Sequence, residues 1–155
     1  MHFPIIEINS ENYKDEHFSI YDDPTLEYYT DYYGEEYNSE ERMRLLESEW
    51  FNEMFDGIGK VIPEKGIIQL FDEDTIRRTL DSYFLDVVEE IARHVDDDRI
   101  WRKFYAIRNA GSEYKHCSAL FFYNGSGHTS MQFMEDVIYS AGEQMYIGQI
   151  YDAHY

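Results

Sequence analysis

Residues 67–75 read Ile67-Ile68-Gln69-Leu70-Phe71-Asp72-Glu73-Asp74-Thr75, an apolar run that passes straight into an acidic helix start. The first five residues suit a buried strand. Asp72 stands where an N-cap belongs, and Glu73 and Asp74 put negative charge in a first helical turn, where the helix dipole favours it. Behind them Ile76, Leu80, Tyr83, Phe84, Val87, Val88 and Ile91 recur at helical spacing, so a helix of about Glu73 to Val95 is expected. A strand feeding a long helix puts the chain in a mixed class.

The same reading extends outwards in both directions. Upstream, Gly59 to Phe71 reads as β structure with a turn around Pro63-Glu64-Lys65-Gly66. Ser39 is expected to cap a helix from Glu40 to Phe55, ended by Gly57. Asp23-Pro24 has the form of an N-cap followed by proline at the first helical position, predicting a short helix to Tyr33 that stops at Gly34. Phe3 to Ile8 predicts a short strand. Downstream, Asp96-Asp97-Asp98 interrupts the long helix and caps another, Arg99 to Asn109, with Gly111 at its end. Lys115 to Tyr123 and His128 to Phe133 flank the turn signal Asn124-Gly125-Ser126-Gly127, as in a hairpin. Residues 134–141 fit a short helix or more strand, and Met145 to Tyr151 predicts a last strand. The expected fold is α+β: a single domain with three to four helices on a small, mainly antiparallel sheet. Residues 1–56 form its acidic, tyrosine-rich helical part and 57–155 its α+β core.

Charge is the feature that bears on function. The chain of 155 residues has 32 acids and 13 bases, a formal net charge of -19. Residues 1–56 hold sixteen acids and three bases, whereas residues 101–155 hold five and four. A pressure for solubility, or a halophilic origin, would spread acids over every exposed face. This uneven distribution favours a dedicated acidic surface, which repels nucleic acid and anionic membrane and attracts basic proteins. No apolar run is long enough to span a bilayer. The one cysteine, Cys117, suits a reducing compartment, so a cytoplasmic protein is expected.

The candidate partner-binding residues are Asp22, Asp23, Glu27, Tyr28, Asp31, Tyr32, Glu35, Glu36, Glu40, Glu47 and Glu53, with Asp15 extending the stripe. Carboxylates one helical turn apart approximate the spacing of phosphates along a strand, and duplex DNA carries one charge about every 1.7 Å of axis. Tyrosines among them suit stacking on arginine. The expected function is a nucleic-acid mimic that occupies the basic groove of a DNA- or RNA-binding protein, such as a nuclease or CRISPR effector, in a phage or mobile element. It binds no nucleic acid or membrane directly, and homodimerisation would lengthen its acidic surface. The alternative is an immunity or antitoxin protein that neutralises one basic toxin, with Tyr28, Tyr32 and Trp50 as anchors.

An enzyme is the third class. The stretch Ile67 to Thr75 resembles the first motif of the haloacid dehalogenase-like phosphatases, a hydrophobic strand running into Asp-x-Asp-x-Thr. The resemblance implies Asp72 as nucleophile, Asp74 as general acid/base and magnesium held by both. It covers nine residues, and the helix-cap reading explains the same residues. No catalytic residue, cofactor or metal ligand is therefore assigned. The six histidines are scattered, His116 and Cys117 alternate on an expected strand, and a lone Cys117 near His128 reads as core.

Overall fold

The computed structural model of the protein describes residues 2–16, 18–96, 98–110 and 119–154. Its strands are β1 (His2–Ser10), β2 (Tyr32–Glu36), β3 (Gly59–Ile62), β4 (Ile67–Leu70), β5 (Leu120–Tyr123), β6 (Ser126–Thr129) and β7 (Gln144–His154). Its α-helices are α1 (Pro24–Tyr29), α2 (Ser39–Glu47), α3 (Glu49–Met54), α4 (Glu73–Arg93), α5 (Ile100–Ala110) and α6 (Ser130–Val137). This is a mixed α/β architecture, with more helices and a larger sheet than the sequence suggested.

One seven-stranded sheet runs in the order β3-β4-β7-β1-β5-β6. β2 joins β7 beyond β4, so β4 and β2 share one edge of β7 and β1 takes the other. Among the described residues only the β1–β5 pairing is parallel. Alternation along the central strands splits the core in two. Ile6, Ile8 and Phe121 face Leu46, Phe51, Phe55, Ile76 and Phe133 from the helices on one side. Phe3, Ile5, Leu120 and Phe122 face Ile20 and Leu26 on the other. The larger core is aromatic: Phe121 stacks on Phe133 at 4.2 Å, with Phe55 edge-on to both.

Several expectations hold. Asp72 caps α4, Asp23 caps α1 with Pro24 at its first position, and β3–β4 turns through Pro63–Lys65 with Gly66 left-handed. Asn124 and Gly125 both take positive φ in the tight β5–β6 turn. The corrections are equally specific. α1 ends at Tyr29, and Tyr32–Glu36 is a strand rather than the end of a helix. Gly34 stops no helix: a Cβ there would lie 2.8 Å from the Asp152 carbonyl, so it permits the close approach of β2 to β7. Residues 1–56 are therefore not helical throughout, since β1 is the buried centre of the sheet.

The helix expected from Glu40 to Phe55 breaks at Ser48, whose extended backbone (φ −66°, ψ 145°) ends α2 and caps α3 through its side chain. The cap of α2 is Asn38 and not Ser39; Asn38 and Glu41 form a capping box. His128 to Phe133 is not one strand, because Thr129 caps α6 through a second capping box with Gln132. Residues 134–141 are the end of α6 and a 3₁₀ turn. The helix end at Gly111, the beginning of the strand from Lys115, and His116 and Cys117 lie outside the described residues. Among the described residues no helix is long and apolar enough to cross a membrane.

Candidate interaction surface

The acidic stretch becomes a surface through β2 and α2. β2 pairs with β7 with a register shift between Tyr33 and Glu36, which leaves Glu35 and Glu36 exposed. Glu36 accepts a hydrogen bond from the Gln149 side-chain amide at 3.2 Å. The chain then turns through Asn38 into α2, whose first turn carries Glu40 and Glu41 at the positive end of the helix dipole. Between β2, α2 and the end of β7 lies an open cleft of about 860 Å³, and Glu35, Glu36, Glu41 and Asp152 all line it.

The bases of this region do not neutralise it equally. Arg42 turns inward, donating from Nη2 to the Ile147 carbonyl at 2.6 Å and from Nε to Gly148 at 3.2 Å, and so fastens α2 to β7. Arg44 is exposed and pairs with Glu40 one turn away. Glu47, Glu49 and Glu53 continue the exposed acids along α2 and α3. Glu40 and Glu47 lie seven residues apart, two helical turns, and so share one side of α2. At the cleft wall Tyr37 is half-buried; burial, with Asp152 and Glu41 adding negative charge, raises its hydroxyl pKa above the usual tyrosine range.

The sequence-derived candidates thus divide. Glu35, Glu36, Glu40, Glu47 and Glu53 fall on the β2–α2–α3 surface. Glu27 is exposed on α1 and Asp31 in the bend after it, so the helix expected to reach Tyr33 does not carry both. Asp23 is spent on structure: Oδ1 accepts from Thr25 and Leu26 at 2.9 Å, and Oδ2 accepts from Gly127 at 3.1 Å, tying α1 to the β5–β6 turn. Asp22 closes a 3₁₀ turn, Tyr28 lies on α1 and Tyr32 opens β2. Asp15 is exposed beside the turn after β1. Trp50 packs against the larger core. Asp72 accepts from the Thr75 hydroxyl at 2.7 Å and its N–H at 3.0 Å, bonds that hold its carboxyl below the usual range.

Two features escaped sequence reasoning. A buried polar seam crosses β1 and β7, where Glu7 accepts from the Gln149 N–H at 2.9 Å and the Asn9 amide at 3.2 Å. Gln149 also accepts from the Tyr151 hydroxyl, whose pKa is pushed up to about 12 by burial and then by the charge of Glu7. The second is the α4–α5 hairpin. Only Ile76 of the long stripe is buried; past Tyr83, Val87 and Ile91 are half-buried and the other large apolar side chains are exposed, Phe84 by 64% and Phe104 of α5 by 68%. At the hairpin base, Leu80, Phe84, Val87, Met131 and Ile138 line an apolar groove of about 410 Å³ between α4 and α6. No protein-family model, curated protein or solved structure matches the chain.

Proposed function

We propose that the protein is an acidic inhibitor that mimics nucleic acid and occupies the basic groove of a DNA- or RNA-binding protein, such as a nuclease or CRISPR effector, in a phage or mobile element. The observation that carries this reading is the gathering of Glu35, Glu36, Glu41 and Asp152 on one cleft, with Glu40, Glu47 and Glu53 beyond it on α2 and α3. Arg42 is directed onto the backbone carbonyls of Ile147 and Gly148, and Arg44, which also lines the cleft, is paired with Glu40. Carboxylates fixed on a helix and a strand present charge at defined spacing, as a phosphate backbone does.

The hairpin fits the dimer side of this reading. Nine apolar side chains from Phe84 to Ile107 are 43–68% exposed. Together they offer on the order of 1,000 Å², about one partner's share of a standard interface. α5, with Arg99 ahead of it, has four bases and no acid, whereas α4 carries Asp81, Asp86, Glu89 and Glu90. A two-fold axis would set the basic helix of one copy against the acidic helix of the other, the self-complementarity that an isologous contact requires.

The concavity of the cleft favours a second reading, an immunity protein that receives one projecting basic side chain of a single toxin. One experiment separates the two. Purified nucleases and other basic DNA-binding proteins are titrated with this protein, and their release of labelled DNA is followed by anisotropy at rising salt. Mimicry predicts displacement from several unrelated targets, weakened by salt and lost in the variant Glu35→Lys, Glu40→Lys, Glu47→Lys, Glu53→Lys. Unchanged displacement by that variant would sink the mimic. A single, salt-resistant target would select the immunity reading.

A further inference from the structure

His2, Asp152 and His154 come from the two extremities of the sequence and converge because β1 pairs with β7. The antiparallel register sets His2 opposite His154 and Pro4 opposite Asp152. Residues 152 and 154 lie two apart on one strand and so share a face of the sheet. His2 Nδ1 lies 2.8 Å and His154 Nε2 3.4 Å from the same oxygen, Oδ2 of Asp152. The two imidazole centroids are 3.7 Å apart, and one ligand atom from each of the three residues fits within a 4.8 Å span.

We propose that these three side chains form a binding site for a divalent transition-metal ion of the zinc type. Zinc holds imidazole nitrogen at about 2.0–2.1 Å and carboxylate oxygen at about 2.0–2.2 Å. Neighbouring donors around a tetrahedral ion then stand about 3.3 Å apart, and the separations of 2.8 and 3.4 Å bracket that edge. Two nitrogen donors and one oxygen suit zinc and its neighbours rather than magnesium or calcium, which take oxygen. Three protein ligands leave a fourth position for water or for a donor from a partner.

The setting supports an ion there. His2 and Asp152 also line the acidic cleft, where Glu35, Glu36 and Glu41 raise the local concentration of cations. The strands hold the donors in place: a Cβ at Gly34 would lie 3.1 Å from the Asp152 Cβ, so β2 is packed closely on the residue that joins the two histidines. Within the triad His2 is 69% exposed at its side chain, which gives an ion a path in, while Asp152 and His154 are 28% and 34% exposed. The inference is independent of what the acidic surface binds.

The test uses the full chain, stripped with chelator and carrying Cys117→Ser to remove the one thiol. Zinc chloride is titrated calorimetrically near neutral pH, and cobalt(II) is added separately to read its visible ligand-field bands. The expected result is saturable binding of one ion per chain, weakened about tenfold or more in each of His2→Ala and His154→Ala. The control Glu40→Gln, Glu47→Gln should bind as the parent does. Because His2 is exposed, His2→Ala keeps the fold, and a thermal melt without metal verifies this. Absence of saturable binding overturns the proposal. So does parental affinity in both histidine variants, which would assign the metal to scattered surface carboxylates.

Discussion

Gly148→Ala tests the buried seam between β1 and β7, because the glycine there is demanded by contact and not by backbone angle. A Cβ at Gly148 would meet Glu7 Oε2 at 2.2 Å, Cδ at 2.6 Å and Cγ at 2.9 Å. Glu7 is 6% exposed and cannot swing into water without giving up its bonds from the Gln149 N–H and the Asn9 amide. Losing a hydrogen bond to a charged group costs about 1.5–3 kcal/mol, and overpacking adds about 1–3. The stiffer unfolded chain of the alanine variant returns about 0.4–1 kcal/mol. The net cost should be about 3 kcal/mol, read from urea unfolding followed by circular dichroism. In a Glu7→Ala background the obstacle is gone, and the same glycine substitution should cost under about 1 kcal/mol. A cost under about 1 kcal/mol in the parent protein, or equal costs in both backgrounds, refutes the contact as the reason for the glycine.

Three further outcomes follow from the packing and the caps. Phe133→Ala opens a cavity between Phe55, Phe121 and Tyr123 and should cost about 3–5 kcal/mol in the same urea assay. Trp101→Ser with Phe104→Ser removes two side chains that are 60% and 68% exposed. It should turn a dimer into a monomer in sedimentation velocity while the midpoint of the dissociated chain barely moves. Asp72→Asn should lower the urea midpoint slightly at neutral pH without loss of inhibition. Because the folded pKa of Asp72 is depressed, its contribution is present above about pH 4 and is lost as pH falls through the folded value. The midpoints of parent and variant should therefore converge in acid, and a gap that persists at low pH refutes the cap.

The sequence disclosed the features that are local. The caps at Asp23 and Asp72, the turn at Asn124-Gly125 and the β3–β4 connection are each written in two to four adjacent residues. It misled where a local pattern met a non-local partner. Tyr32–Glu36 has no helix-ending signal before Gly34, yet it is a strand because β7 offers an edge there. Ser48 suits a helix N-cap as well as a helix interior, and the break it makes turns Phe51 and Met54 into the core. The acids of the β2–α2 cleft were visible as composition, but Asp152 joins them only through strand pairing. His2 and His154 read as scattered for the same reason, since no spacing rule spans a whole chain. The apolar stripe of α4 was legible, but not that only Ile76, with Leu80 and Tyr83 partly buried beside it, meets the core, while Phe84 and Val88 further along are exposed.

That exposed stripe bears on why the chain is acidic. The α4–α5 hairpin holds the largest exposed apolar surface among the described residues, so a pressure for solubility would place its acids there first. On the hairpin the charges are sorted by helix: α4 carries Asp81, Asp86, Glu89 and Glu90, whereas α5 has bases and no acid beside Ile100, Trp101, Phe104 and Tyr105. A second set of exposed acids, Glu35, Glu36, Glu40, Glu41, Glu47, Glu49 and Glu53, stands outside the hairpin on β2, α2 and α3. Self-repulsion among them lowers stability, and a surface that is merely wet has no use for that cost. An acidic cleft on one side, and an apolar hairpin with one acidic and one basic helix on the other, suit the two contacts we propose, one made by charge and one by apolar area.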